Sequence, residues 1–372
     1  ASARAAGAAQ DAADLVAGPV HSAFHDEPDT VDTAGLAVTA PALRAAMSDP
    51  SLQYFGYAEE SRDTMYVATS AGTRLRYVDR VARFELCAKT PDRTRSAWSG
   101  QSGTSLADVH VDAHAATVRQ GVEHQRTVMD IDPGQHPVTL SPSAFADLMI
   151  YLLWMSAARE AHEGRSVFSN PLGGTRIGER LTPRSLSIAT DPHAVGLIAP
   201  DHVVNIGSSS MSSAFDTGLP IPRADIVTDG VLTALASSRH AATEAGLPFT
   251  PLAENIVVAD GAGTGSTTDL AARMGEGLLI TCLWYIREVD PQSLLLTGLT
   301  RDGVYVVRGG EIVGAAGNFR FNESPVSLLG RIRDAGDTTA CLPREWADWF
   351  NRAQVCPVTV DSFNLSTRSE AI

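Results

Sequence analysis

The chain has 372 residues, 44% hydrophobic and 19% charged, with a formal net charge of −14. That length exceeds one typical core, so two domains are expected. The acidic balance excludes a surface built for nucleic-acid phosphates or an anionic membrane, both of which need a basic stripe.

Residues 2–17 are Ala-rich and read as a helix by propensity, closed by Gly18-Pro19. They lack a basic segment followed by an apolar one and do not read as a signal peptide. Residues 21–33 are acidic and Pro-bearing, a loop, and 41–47 suggest a short helix. Alternation then predicts strands over 54–60 and 64–69, a turn at Ser70-Ala71-Gly72, and strands over 73–77 and 82–88. A helix of approximate apolar periodicity follows over 105–121. Asp132-Pro133-Gly134 breaks the pattern and divides residues 1–134 from 135–372.

A strand over 137–140 leads to an amphipathic helix over 143–164, capped by Ser141 or Ser143. Its Phe145, Leu148, Met149, Leu152 and Leu153 stand at i, i+3, i+4, i+7 and i+8. Short strands are expected over 186–188, 225–227, 231–236 and 256–259. In 277–325, GLLITCLWYI reads as one strand, Asp290-Pro291 as a turn and 294–298 as a second strand. Arg301-Asp302-Gly303 reads as a tight hairpin into VYVV, and Arg308-Gly309-Gly310 as another into EIVGAA. Asn318, Arg320, Asn322 and Glu323 then alternate with Phe319 and Phe321. The expected fold is α+β: an N-terminal α/β domain, then a C-terminal domain dominated by a curved or barrel-like antiparallel sheet.

Several motifs could carry chemistry. His21 and His25, and His110 and His114, have metal-compatible spacing, but the first pair lies in a loop and the second on a helix needing an apolar face. Both read as surface or packing histidines. IVVADGAGTG at 256–265 mimics a dinucleotide loop, yet Ser266 stands where the third Gly should be, so it reads as a connection. The Ser-rich turn at 208–213 lacks GxSxG. Four cysteines, Cys87, Cys282, Cys341 and Cys356, contain no CxxC pair and read as reduced thiols of a cytoplasmic protein. No apolar run approaches the roughly 20 residues that span a bilayer. Trp284, Tyr285, Arg287, Arg301, Arg320 and Asn322 suit carboxylate, peptide-backbone or partner recognition. They equally suit packing, with the arginines paired to Asp290, Asp302 and Glu323.

The order of these segments resembles the TldD/PmbA family, in particular its PmbA (TldE) branch. The resemblance is carried by GLLITCLWYIREVDPQSLLLTGLTRDG at 277–303, GEIVGAAGNFRFN at 310–322 and FNLSTRSEAI at 363–372. It extends to SRDTMYVATSAGTRLRYVDRV at 61–81 and AFDTGLPIPRADIVTDGVLTALASSRHAA at 214–242. In the TldD branch the helix corresponding to 143–164 carries HExxxH, with zinc-binding histidines and a general-base Glu. Here LLWMSAAREAHEG puts Trp154, Met155 and Arg159 at those positions, or Met155, Ser156 and Glu160 in the alternative register. An indole, a thioether and a guanidinium do not make a zinc site. Cys356, near the position of that branch's Cys ligand, lacks partner histidines and reads as a packed apolar residue.

The resemblance implies a non-catalytic, substrate-binding and scaffolding subunit of a TldD/TldE-type heteromeric zinc metallopeptidase. Its substrates would be unfolded or extended peptides, in proteolysis or peptide natural-product maturation. Zinc is expected in a TldD-type partner carrying HExxxH, with no metal or other cofactor in this chain. Two alternatives are a free-standing peptide-binding homo-oligomer, a homodimer when alone, and a repurposed biosynthetic amide hydrolase. Because the family usually carries more α/β sequence before this point, the start at Ala1 is expected to be a truncation.

Overall fold

The computed structural model describes residues 9–370. Of the helix expected over 2–17, residues 2–8 lie outside this range, and 9–17 are not helical. This arm is instead tied down by tertiary bonds. Ser213 Oγ donates to Asp11 Oδ2 at 2.6 Å, and the Gly18 amide donates to Thr73 Oγ1 at 2.9 Å. Intrinsic propensity loses to contacts the local sequence does not encode.

Helix α1 (Ala34–Ala46) starts earlier than expected. Strands β1 (Gln53–Ala68) and β2 (Arg74–Lys89) form a continuous ribbon, paired from Gln53↔Lys89 to Ala68↔Arg74, where the sequence suggests four shorter strands. Strand β3 (Ser96–Gly103) completes a three-stranded sheet. The helix expected over 105–121 is resolved into a 3-10 turn, Leu106–Asp108, and α2 (Val111–His124). Ser105 Oγ caps the turn, and His110 lies outside helical geometry. Val111, Ala115, Val118 and Val122 of α2 bury one stripe against Phe84, Leu86 and Ala97 of the sheet.

The chain continues through β4 (Gly134–Leu140), α3 (Pro142–Trp154) and α4 (Ala158–His162). Next come β5 (Leu186–Thr190), β6 (Ala224–Thr228), β7 (Val231–Leu232), α5 (Arg239–Ala245), β8 (Ile256–Asp260) and α6 (Thr267–Met274). Then follow β9 (Gly277–Ile280), β10 (Leu283–Asp290), β11 (Leu295–Thr300), β12 (Val304–Arg308), β13 (Glu311–Ala315) and β14 (Asn318–Glu323). Last are α7 (Pro325–Leu329), β15 (Ile332–Ala335), β16 (Thr339–Cys341), β17 (Ala353–Val355) and β18 (Val358–Ser369).

A nine-stranded sheet has the order β10-β11-β14-β18-β4-β9-β12-β13, with β15 also on β18. A six-stranded sheet runs β16-β17-β8-β5-β6-β7. Pairing is antiparallel except at β4–β9 and β17–β8. The fold is α+β with extensive antiparallel sheet, and the large sheet is an open path from β10 to β13. Helix α3 touches β4 of one sheet and β16 and β17 of the other, which buries it nearly all round. No helix among the described residues is long and apolar enough to cross a membrane.

Two local expectations are corrected. GLLITCLWYI is not one strand: the chain breaks at Thr281-Cys282, so β9 pairs with β12 and β4, whereas β10 pairs with β11. Arg301-Asp302-Gly303 is therefore no hairpin but a crossover between two halves of the sheet. Asp302 sits at φ 50° and Gly303 at φ 146°, where a Cβ would fall 2.2 Å from Thr281 Oγ1. The β12–β13 hairpin is as expected, with Gly309 and Gly310 at φ 59° and 82°, both in the left-handed region that a type I′ turn requires.

Candidate functional site

The helix expected over 143–164 is two helices. Ser141 is the cap, its Oγ accepting the Ala144 amide at 3.2 Å, and α3 ends at Trp154. The backbone at 156–158 leaves the helix to pair with Ala236: the Ala236 amide donates to the Ser156 carbonyl at 2.9 Å and the Ala158 amide to the Ala236 carbonyl at 2.8 Å. Ser156 Oγ turns back to the Leu153 carbonyl at 2.7 Å. Trp154, Met155 and Arg159 consequently enter three environments. Trp154 packs edge-on to Trp346 at 4.9 Å and Phe350 at 6.4 Å, with Tyr151 tilted at 6.2 Å. Met155 closes the end of α3. Arg159 bonds Glu163 Oε1 at 3.1 Å and Gln10 Oε1 at 3.4 Å near the surface.

The zinc implied by the fold family does not fit these side chains. Among the described residues no three His, Cys, Asp or Glu side chains are grouped so as to hold a metal ion. His162 is exposed. Cys356 is buried, and burial, with Asp260 second, pushes its thiol up to about 12. His114 has both ring nitrogens engaged, by Ser99 Oγ at 2.8 Å and Gln101 Oε1 at 3.0 Å. Burial first, then His110, lowers its affinity for a proton. His21 Nδ1 meets the backbone of Arg76, and its ring lies edge-on to Tyr77 at 5.4 Å.

Four of the six recognition candidates share one sheet face. Register aligns Trp284, Leu299, Arg320 and Thr367 across β10, β11, β14 and β18, and Arg287, Thr297 and Asn322 one step along. Directly opposed residues in antiparallel strands project to the same side, and here the other side carries buried Phe319 and Phe321. Arg301 joins this face, its guanidinium 5.6 Å from the Trp284 ring. Tyr285 differs. It sits at φ 55° in a bulge of β10, is 53% exposed and lies 4.4 Å under the Arg287 guanidinium. Of the expected ion pairs, only Arg301 with Asp302 forms, at 3.5 Å. Glu323 binds Arg331, and Asp290 accepts amides of its own turn. Arg287 meets Glu345 instead, at 3.2 Å.

The sequence reading missed the segment that supports this face, Arg344-Glu345-Trp346. Arg344 ion-pairs with buried Asp302, and its guanidinium lies 5.1 Å from the Trp98 ring and 5.4 Å from that of Trp284. Burial alone would raise the Asp302 carboxyl. Arg344, a Ser96 hydrogen bond and Arg301 override it and hold the group below its usual range. Glu345 accepts the Tyr285 and Ile286 amides at 2.7 and 3.0 Å, and donates its own amide to Asp147 Oδ1 at 3.1 Å. Asp147 is fully buried on α3, and its Oδ2 has no hydrogen-bond partner among the described residues. Burial first, then the Glu345 charge, lift its carboxyl well above the ordinary range. Two adjacent charges and a Trp after Cys341-Leu342-Pro343 were the available signal.

Helix α3 contacts both sheets, and residues 133–367, which contain it, match the PmbA/TldA metallopeptidase C-terminal domain. That match covers more than half of the chain, which belongs to the PmbA/TldD family. The solved structures similar to it include the following three. TldE from Thermococcus kodakarensis has a TM-score of 0.74 at 15% identity, over 95% of this chain and 79% of that one. A putative modulator of a DNA gyrase from Thermotoga maritima has 0.70 at 15%, over 94% and 79%. One of the same description from Bacteroides thetaiotaomicron has 0.71 at 12%, over 96% and 76%. At these identities the likeness establishes the fold. No curated protein matches the chain.

Proposed function

We propose that this chain is the non-catalytic, substrate-binding member of a TldD/TldE-type pair that hydrolyses unfolded or extended peptides. The observation that carries the reading is the end of α3, where Trp154, Met155 and Arg159 diverge and offer no set of metal donors. Peptide-bond hydrolysis in such a pair draws on a Lewis-acid metal and an activated water supplied by a partner with HExxxH. This chain contributes peptide binding and a wall that excludes bulk water. The face bearing Trp284, Arg287, Arg301, Arg320 and Asn322 is the surface we assign to partner or substrate contact, since exposed Arg and aromatic side chains favour such contacts. The four free thiols suit a reducing, cytoplasmic compartment.

The test is purification of the chain alone and together with a homologue carrying HExxxH, followed by metal analysis and a peptide-cleavage assay. The lone chain should hold less than stoichiometric zinc and cleave nothing, and the pair should cleave. Stoichiometric zinc on the lone chain, or cleavage by it, overturns the proposal.

A further inference from the structure

A groove runs between the β1–β2 ribbon and the C-terminal domain, made of two cavities that meet at Glu254. Glu59, Ser61, Asp63 and Met65 fall on one face of β1 by its two-residue period and line the groove in succession. The six residue-to-residue steps from Glu59 to Met65 make this wall about 20 Å long, enough for about six residues of extended peptide. The far wall comes from two segments of the C-terminal domain, one carrying Phe249 and Leu252, the other Trp349.

The two ends differ in chemistry. The end at Met65 is a mainly apolar pocket of about 230 Å³, walled by Val203, Ile221, Phe249 and Leu252, with Asn205, Ser212 and Asp216 as its polar part. The other, about 370 Å³, is lined by five carboxylates against two guanidiniums. Arg83 is committed to Glu59 and Asp348, and Arg352 to Asp79. Asp63 and Glu254 remain without an ion pair among the described residues, beside a Trp349 indole that is 82% exposed. An indole face and unpaired carboxylates together select a cation.

We infer that this groove binds an extended polypeptide carrying a basic side chain, which lies against Trp349 and the carboxylates of Asp63 and Glu254. A large apolar side chain of the same peptide fills the pocket at Met65. The charge of the polar end rejects an acidic peptide, so the groove sets substrate preference. This rests on the reading of the chain as a peptide-binding subunit.

The experiment measures fluorescence anisotropy of labelled hexapeptides, in both chain directions, with the full chain. One peptide has an arginine at one end and a leucine at the other, a second replaces the arginine with glutamate, and a third replaces the leucine with serine. The first should bind about tenfold or more tightly than either of the others. Asp63→Asn combined with Glu254→Gln should abolish the preference for arginine over glutamate and flatten the salt dependence. Trp349→Ala should weaken the arginine peptide alone. Equal binding of the three peptides, no binding of any, or an unchanged preference in the double variant overturns the inference. The same preparations are then assayed for cleavage with the HExxxH-bearing homologue. Cleavage without selection rejects the groove and leaves the proposed function standing. Selection without cleavage does the reverse.

Discussion

Arg344 compensates buried Asp302 while its guanidinium lies against the rings of Trp98 and Trp284. Replacing it in Arg344→Met leaves a buried carboxylate without its main counter-charge, a change that costs about 3–5 kcal/mol. Urea denaturation at neutral pH should show that loss, and Arg344→Lys should recover part of it. The two buried acids respond to pH with opposite sign. Asp302 is held below its unfolded value, so its contribution is present above that value and is lost as pH falls through the folded one. Asp147 is raised, so its contribution is complete at low pH and is lost as pH rises through the folded value. Asp147→Asn, neutral at every pH, should therefore gain stability relative to the parent as denaturation is measured at increasing pH. A constant difference across pH would contradict this. Trp284 and Arg301 were legible as an aromatic-plus-Arg cluster. Arg344 was not, because it approaches from a distant part of the chain.

Helix α3 shows which part of an element the local sequence encodes. Its start was legible in the Ser141 cap and the apolar spacing from Phe145 to Leu153. Its end was not, because Ser156-Ala157-Ala158-Arg159-Glu160 contains good helix formers and the competing partner, Ala236, is remote in sequence. The strand pairings failed in the same way: alternation gives each strand its faces but not its neighbour, so β9 and β10 read as a single run. Trp154 closes an aromatic cluster with Tyr151, Trp346 and Phe350. Trp154→Ala should lower stability by about 2–4 kcal/mol, read as a lower denaturation midpoint, and Trp154→Phe by clearly less. Equal losses for the two would mean that the cluster does not depend on ring packing.

Across the whole molecule, the ribbon is held to the C-terminal domain by polar contacts and by a small buried cluster of Cys87, Trp98, Cys282, Leu342 and Ala347. Tyr77 on β2 donates to Asp201 Oδ1 at 2.7 Å, with His202 Nδ1 at 3.0 Å, while Arg83 and Arg352 reach Asp348 and Asp79. Burial, then Asp201, raises the phenol and keeps it protonated. Burial opposes ionisation of Asp201, but the Tyr77 and His202 bonds outweigh it and hold the carboxyl below its ordinary range. Tyr77→Phe should cost about 1 kcal/mol and speed amide hydrogen exchange in β1 and β2 with little change in α3. Uniform acceleration everywhere would show that the contact serves global stability instead. The order of segments made the family's architecture readable in advance, whereas this clamp joins residues that carry no shared motif. The bulge in β10 has a consequence for how the protein keeps company with its own kind. Glu345 occupies the Tyr285 and Ile286 amides at one margin of the large sheet, and residues 127–129 engage Ala315 at the other. Stacking of copies into fibrils by margin-to-margin strand recruitment is thus opposed at both sides.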